Sequence, residues 1–245
     1  MSRYYYDFHI HSCLSPCGDD DNTPNNICGM ASISGLNIVA LTDHNTAKNC
    51  PAFFKAARRY GIIPVAGMEL TTSEDIHVVC LFENLEDAMR FDEYIDGRRV
   101  LIKNRPEIFG EQQILDENDE IIATEEHLLS NATTVSIEEV HSLVCEFGGV
   151  CYPAHIDRDA NGIIAVLGTI PPDAEFSLFE LHDKNNTDEY SKRYGLNKER
   201  IIVSSDAHYL TDIRDKECYF ELNDDPYSSA LVRRELFKLL RGEES

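Results

Sequence analysis

The sequence predicts an α/β protein in which a barrel-like sheet is wrapped by crossover helices. Two observations carry this reading. Seven short β-rich runs, at residues 4–10, 38–41, 62–66, 76–82, 150–152, 176–181 and 201–204, alternate with helix-like stretches along the whole chain, the pattern of strands joined by helical connections. Histidines and carboxylates recur at or just beyond the ends of five of these runs, the position where barrel enzymes keep their chemistry. Seven strands is one fewer than a TIM barrel has, and 245 residues fit one domain, 1–245.

Each element has a local reason. After the first strand, Thr23 can cap a helix with Pro24 at its first position and Gly35 at its end. The run at 62–66 leads into Gly67-Met68-Glu69, and His77 stands at the start of the next run, on the wrong rim for a parallel strand. A reversal resolves this: 69–72 continues outward, Ser73-Glu74-Asp75 turns, and 76–82 returns antiparallel, bringing His77 back beside Glu69. Residues 111–115 and 120–123 flank the polar turn 116–119 and read as a β-hairpin inserted at about 110–124. Ser136-Ile137-Glu138-Glu139 offers a capping box for a helix closed by Gly148. Leu231, Leu236, Leu239 and Leu240 recur at helical spacing in a terminal helix over 227–240.

Composition narrows the function. With 44 Asp+Glu against 22 Lys+Arg the formal charge is −22, so nucleic acid is an unlikely partner unless cations supply the attraction. No apolar run reaches membrane length, and Met1-Ser2-Arg3-Tyr4 leads directly into a strand-like run without a signal-peptide core. We therefore expect a cytoplasmic protein. Its eight cysteines show no paired framework and read mostly as small buried hydrophobes.

Nine histidines are present. His9 and His11 alternate onto one side of a strand and can share one metal. Asp43-His44, Glu69, Pro153-Ala154-His155 and Asp206-Ala207-His208 each stand at another strand end. A lone histidine there is more often a hydrogen-bonded loop residue than a ligand, and Asp43 or Asp206 alone can cap a turn. Five such groups on one rim point instead to cations that satisfy them. His127 and His141 keep the ordinary reading.

At this point the sequence resembles a known family. Asp7-Phe8-His9-Ile10-His11-Ser12, Thr42-Asp43-His44, Gly67-Met68-Glu69, Pro153-Ala154-His155 and Ser205-Asp206-Ala207-His208 resemble the successive motifs of the PHP (polymerase and histidinol phosphatase) superfamily, over residues 4 to about 210. The resemblance implies a distorted (β/α)7 barrel that hydrolyses phosphoesters with two or three divalent ions, manganese, iron or zinc. It implies that His9, His11, Glu69 and Asp206 hold the first ion, that Glu69 bridges to a second held by His77 and His155, and that His44 and His208 hold the remaining one. Glu69 and Asp206 are then the catalytic carboxylates. The family also carries a ligand shortly after the His-x-His pair. Anchoring on Thr23-Pro24 points to Asp19, which we take as the ligand, whereas counting from His9 points to the alternative, Cys17, a softer donor.

Paired ions can hold an attacking hydroxide and neutralise a phosphoryl oxygen without a nucleophilic side chain. Arg158, three residues after His155, can clamp a phosphate, with a surface ion pair to Asp157 or Asp159 as its plain alternative. His182 ends the run at 176–181 and is a second substrate-side candidate, with Lys184 a weaker one. The sequence thus favours a phosphoesterase acting on a small phosphorylated metabolite or nucleotide. The alternatives are an exonuclease or 3′-end processing module, which needs a basic track, and a non-enzymatic metal-binding domain, which would have lost ligands.

Overall fold

The computed structural model describes residues 1–243. A six-stranded sheet forms the backbone of the fold, built from β1 (Ser2–Asp7), β2 (Ile38–Leu41), β3 (Ile63–Thr71), β4 (His77–Phe82), β7 (Gly149–Pro153) and β10 (Tyr219–Leu222), in the order β10-β1-β2-β3-β4-β7. β5 (Gln113–Leu115) and β6 (Ile121–Thr124) form the inserted hairpin, while β8 (Phe179–Leu181) and β9 (Ile201–Val203) form a separate parallel pair. That pair closes the curl. Ile156 N–H donates to the Glu180 carbonyl at 2.9 Å on one side, and His11 N–H donates to the Ala207 carbonyl at 2.9 Å on the other. The seven strands read from the sequence are therefore the ring β1-β2-β3-β4-β7-β8-β9, the distorted barrel expected.

The reversal after β3 is present. β3 and β4 pair antiparallel from Ala66↔Phe82 to Thr71↔His77, so one long buried ribbon carries both Glu69 and His77 to the same rim. Gly67 makes the close pairing possible, because a Cβ there would lie 2.5 Å from the Cys80 carbonyl oxygen. Strand ends shift relative to the sequence reading: β3 runs on to Thr71, and β8 keeps only three residues of the 176–181 run. β10 has no counterpart in that reading. It is a short edge strand of mixed polarity whose partner, β1, lies more than two hundred residues away in the chain, so no local pattern announces it.

Helices pack on both faces. α1 (Pro24–Ile33), α2 (Cys50–Tyr60), α3 (Leu85–Asp96) and α5 (Ile137–Glu146) cover one face through Ile27, Phe53, Phe91 and Val140. On the other face Val232, Leu236, Phe237 and Leu240 of α8 (Ser229–Arg241) pack against Ile38, Val65, Leu81 and Tyr152. Thr23 caps α1 through Asn26 N–H, and Ser136 and Glu139 form the expected capping box on α5. The remaining helices, α4 (Pro106–Phe109), α6 (Ile163–Leu167) and α7 (Thr187–Tyr194), lie in connections.

The insertion is wider than the hairpin. Bridges Arg99↔Thr133 and Lys103↔His127 extend the excursion to both sides of it. Asn49 then ties it to the barrel: its Oδ1 accepts from Leu115 N–H at 2.9 Å and its amide donates to the Gln113 carbonyl at 3.1 Å. The insertion therefore lies against the loops that follow β1 and β2, on the rim that carries the histidines.

Candidate metal centre

Glu69 is the centre of the site, 1% exposed near the end of β3. Its Oε1 lies 3.2 Å from His9 Nε2, 2.9 Å from His77 Nδ1 and 3.1 Å from His155 Nε2. Its Oε2 lies 3.3 Å from His11 Nε2 and 3.0 Å from His44 Nδ1. Asp206 Oδ1 completes the group at 3.3 Å from both His9 Nε2 and His11 Nε2. Two of these positions are backbone-strained: His155 and Asp206 adopt positive φ angles of 29° and 52°, which non-glycine residues hold only where the surroundings dictate it.

The arrangement fits divalent cations. His9 Nε2 and His11 Nε2 stand 3.2 Å apart, two ring nitrogens facing one another within a nest of carboxylate oxygens. His44 Nδ1, His77 Nδ1, Glu69 Oε2 and Asp206 Oδ1 are buried with no hydrogen-bond partner, the cost that an ion removes. Ligand atoms fall into three overlapping groups, each within 4.8 Å: His9, His11, Glu69 and Asp206; His44, Glu69 and His77; and His11, His44 and His208. The grouping differs in detail from that implied by the resemblance, since His44 joins Glu69 and His77 whereas His155 approaches Glu69 alone.

Electrostatics give the same answer. Burial opposes charge on His9, yet Glu180, Glu69 and Asp206 raise it well above its usual value. Glu69 is held well below the carboxylate range by His77, His9 and His44 against the same burial. His9, His11 and His44 are raised, whereas burial lowers His77, so ions and protons compete for the raised rings.

Surrounding residues aim the ligands. Glu180, fully buried in β8, accepts from His9 Nδ1 at 2.8 Å and from His155 N–H at 3.1 Å, a carboxylate–histidine pair that turns Nε2 inward. Ser15 Oγ does the same for His11 at 3.0 Å and itself donates to Asp43 at 2.7 Å. Asp43 is thus an organiser of the loop after β1: it also accepts from Ser12 N–H and Oγ, each at 2.7 Å. Nothing local in the sequence singled out Glu180 beyond its being a lone charge in an apolar strand.

The loop at 15–19 separates the two candidates for the additional ligand. Asp19 N–H donates to the His208 carbonyl at 2.9 Å and its carboxylate Oδ1 accepts from Asp21 N–H at 2.9 Å; neither Asp19 nor Cys17 joins any of the three groups. Cys17 faces the rings of His44, His208 and His11, which outweigh burial and draw its thiol down to about 5. Gly18 makes the turn between them possible, because a Cβ there would meet the Ser12 carbonyl oxygen at 2.2 Å.

Arg158 and His182 lie at the edge of the centre. Arg158 Nη1 donates to Asp206 Oδ2, and its Nη2 lies 3.2 Å from His182 Nδ1. Lys184 pairs with Glu217 at 3.3 Å. His127 and His141 stand apart from the centre, His141 3.9 Å from Cys145 Sγ and His127 in the insertion bridge.

A ring of strands with a carboxylate-centred histidine cluster at one mouth defines a distorted barrel built around a candidate metal site. The model of the PHP domain matches residues 7–224, and the chain belongs to that family, whose members are metal-dependent hydrolases. Among solved structures it resembles the lesion-specific endonuclease EndoQ of Pyrococcus furiosus, with TM-score 0.71 and 17% identity, over 100% of this chain and 57% of that one. It also resembles a candidate metal-dependent phosphoesterase of Bifidobacterium adolescentis, with TM-score 0.56 and 16% identity, over 84% of this chain and 88% of that one. An uncharacterised protein of Methanocaldococcus jannaschii is 34% identical over 86 residues, 32% of this chain and 50% of that protein. The chain thus spans about half the length of the curated relative it matches. Among the described residues no helix is long and apolar enough to cross a membrane.

Proposed function

We propose that this protein hydrolyses a phosphate ester of a small metabolite or nucleotide at a di- or trinuclear centre of divalent ions. The observation that supports this most is the convergence of five imidazoles on the two oxygens of buried Glu69, with Asp206 alongside. Manganese, iron and zinc all suit such nitrogen and oxygen donors. His9, His11, Glu69 and Asp206 would hold one ion, Glu69 with His77, His155 and His44 a second, and His44 with His208 a third, with Asp19 as the additional donor and Cys17 as its alternative. Ions bound there supply Lewis acidity toward a phosphoryl oxygen and acidify a water toward neutral pH.

The side chains of this chain do the rest. Glu69 and Asp206, the catalytic carboxylates, provide the negative charge that binds and spaces the ions. Glu180 and Ser15 fix the rings of His9 and His11, so that little reorganisation is left for the reaction. Arg158 offers a guanidinium to phosphate oxygens at the rim, and His182 orients it. Burial, Arg158 and Arg214 all lower His182, so it acts as a neutral ring.

A second reading, hydrolysis of a nucleic-acid strand, is favoured by the match of the whole chain to a DNA endonuclease. A charge of −22 weighs against it, because long-range repulsion grows as salt is lowered. Metal-reconstituted protein is assayed on p-nitrophenyl phosphate, a nucleotide monophosphate, a short oligonucleotide and a duplex at two ionic strengths, with elemental analysis alongside. The expected result is faster turnover of the small esters. Turnover of duplex that exceeds them and rises at low salt would select the nucleic-acid reading, and release from none of the four would overturn both.

A further inference from the structure

We propose that Cys80 and Cys151 form a reversible redox pair, closed into a cross-strand disulfide by a small peroxide that enters at the end of the barrel opposite the metal centre. The pair lies outside the metal centre and is independent of the reaction proposed for it.

Cys80 in β4 and Cys151 in β7 stand directly opposite each other in the antiparallel ladder. Among the described residues this is the one place in the six-stranded sheet where two cysteines are partners. The hydrogen-bond pattern fixes the kind of partnership. Ala154 N–H donates to the His77 carbonyl at 3.0 Å, and bonded and unbonded positions alternate along such a ladder. His77 with Ala154 and Val79 with Tyr152 are therefore bonded positions, whereas Val78 with Pro153 and Cys80 with Cys151 are unbonded ones. Pro153, which has no N–H to give, falls where none is needed. Unbonded partners approach to about 4.5 Å between Cα atoms with their side chains on one face, within the roughly 4.4–6.8 Å that a disulfide spans. Both side chains belong to the core that packs against the helices, with Phe82 and Val144. Cys80 Sγ donates to the Val78 carbonyl at 3.6 Å, so closing the bond replaces one weak contact after a rotation about χ1.

An oxidant can reach the pair. A cavity of about 470 Å³ opens where Gly148 and Gly149 lead into β7, and Cys151 lines it together with Cys145, Leu178 and Leu240. The candidate ligand His155 follows the far end of the same strand, so the cavity and the metal centre lie at opposite ends. Cys80 is fully buried behind Cys151. In the first step the Cys151 sulfur attacks a peroxide oxygen: an S–O bond forms, the O–O bond breaks, and water leaves with the thiol proton. In the second the Cys80 sulfur attacks the Cys151 sulfur: the S–S bond forms, the S–O bond breaks, and a second water leaves with the Cys80 proton. Two electrons pass from the thiols to the peroxide. Burial raises both thiols, which makes the first step slow. The second has its partner already in place and outruns further oxidation of Cys151. The bond ties β4, which carries His77, to β7, which leads to His155, and it closes a long loop that contains the whole insertion. A link of that span stabilises the fold by restricting the unfolded chain.

The test uses zinc-loaded protein, because zinc has no redox chemistry of its own. The protein is treated with hydrogen peroxide, quenched with catalase, alkylated in denaturant and digested without reduction. Mass spectrometry is expected to find the peptides of Cys80 and Cys151 joined in most of the protein, and dithiothreitol to separate them. A thermal melt is expected to rise by several degrees on oxidation and to return on reduction. In Cys80→Ala the joined peptides and the rise both disappear, and Cys151 goes on to the sulfinic acid. Cys145→Ser keeps both, since that thiol only shares the cavity. Should Cys80→Ala fail to fold, the unaltered protein decides alone, through the joined peptides and the reversible rise. Recovery of Cys80 and Cys151 as alkylated thiols after peroxide has oxidised Cys145 overturns the pair, and so does a link from Cys151 to Cys145 in place of Cys80.

Discussion

Two carboxylates near the same rim, Glu69 buried and Glu125 partly buried, are satisfied in opposite ways. Glu125, in the insertion, meets fixed cations: Lys48 Nζ at 2.5 Å and Arg99 Nη2 at 3.0 Å. Glu69, in the barrel, meets only imidazoles, whose charge depends on protons. A pair of permanent charges is a structural clamp, and here it ties the insertion to the loop after β2. A carboxylate ringed by titratable nitrogens has no permanent counter-charge, and its place is open to exchangeable cations. The sign is the same in both, with Glu69 the more deeply buried; the partner decides what each cluster is for.

The comparison is broken most directly at Glu69. Glu69→Gln keeps the shape of the side chain and removes its charge, and it is expected to abolish the binding of at least one ion and lower activity by about 10³-fold or more, as measured by elemental analysis and initial rates. In the same variant the stability added by divalent ions in a thermal melt should disappear, whereas in Glu125→Gln it should remain.

Glu180→Gln sharpens the reading of the centre. The loss of the carboxylate behind His9 is expected to weaken ion binding by about 10–100-fold without emptying the site at saturating metal. A metal titration that matches the unaltered protein would show that Glu180 only fills space.

Glu125→Gln tests the clamp. Breaking this pair is expected to cost about 3 kcal/mol, equivalent to roughly 6–12 °C in melting temperature for a chain of this size, while ion content is kept. The pH dependence is specific. Lys48 and Arg99 overcome burial and lower Glu125 to about 2 from its ordinary 4.5, so the folded state binds the proton less readily than the unfolded one. The stabilisation is therefore complete above about pH 5 and lost as pH falls from there through the folded value near 2. The difference in melting temperature between the unaltered protein and Glu125→Gln should shrink across that window. The smallest effect is expected for Arg158→Ala, a several-fold rise in KM with a lesser change in kcat.

Much of this was legible in the chain. The alternation of β-rich runs gave all seven strands of the ring, and the paradox of His77, a candidate ligand at the start of a run, already required the antiparallel turn at 73–75. The strand-end histidines and carboxylates likewise marked the mouth. Other features had no local signature. Glu180 lies in a three-residue strand, and its partner His9 is 171 residues away. Arg214 follows the last motif by several residues and meets His182 only through the fold. The choice between Asp19 and Cys17 turns on two residues of loop, where counting along the chain does not tell which side chain serves the ions, and neither joins a ligand group.

What the sequence determined by itself is periodic or adjacent: strands of alternating polarity, caps one turn from the residues they serve, and pairs such as His9 and His11 whose relation follows from the pitch of a strand. What only the tertiary structure decided depends on closing the ring. That step brings β1 against β9 and β8 against β7, and with them Glu180 behind His9, Asp206 beside both rings of the first motif, and Arg214 beside Arg158. The physical reason is range. Backbone geometry propagates side-chain direction over a few residues, whereas burial energy, shared among the whole sheet, selects which distant segments meet.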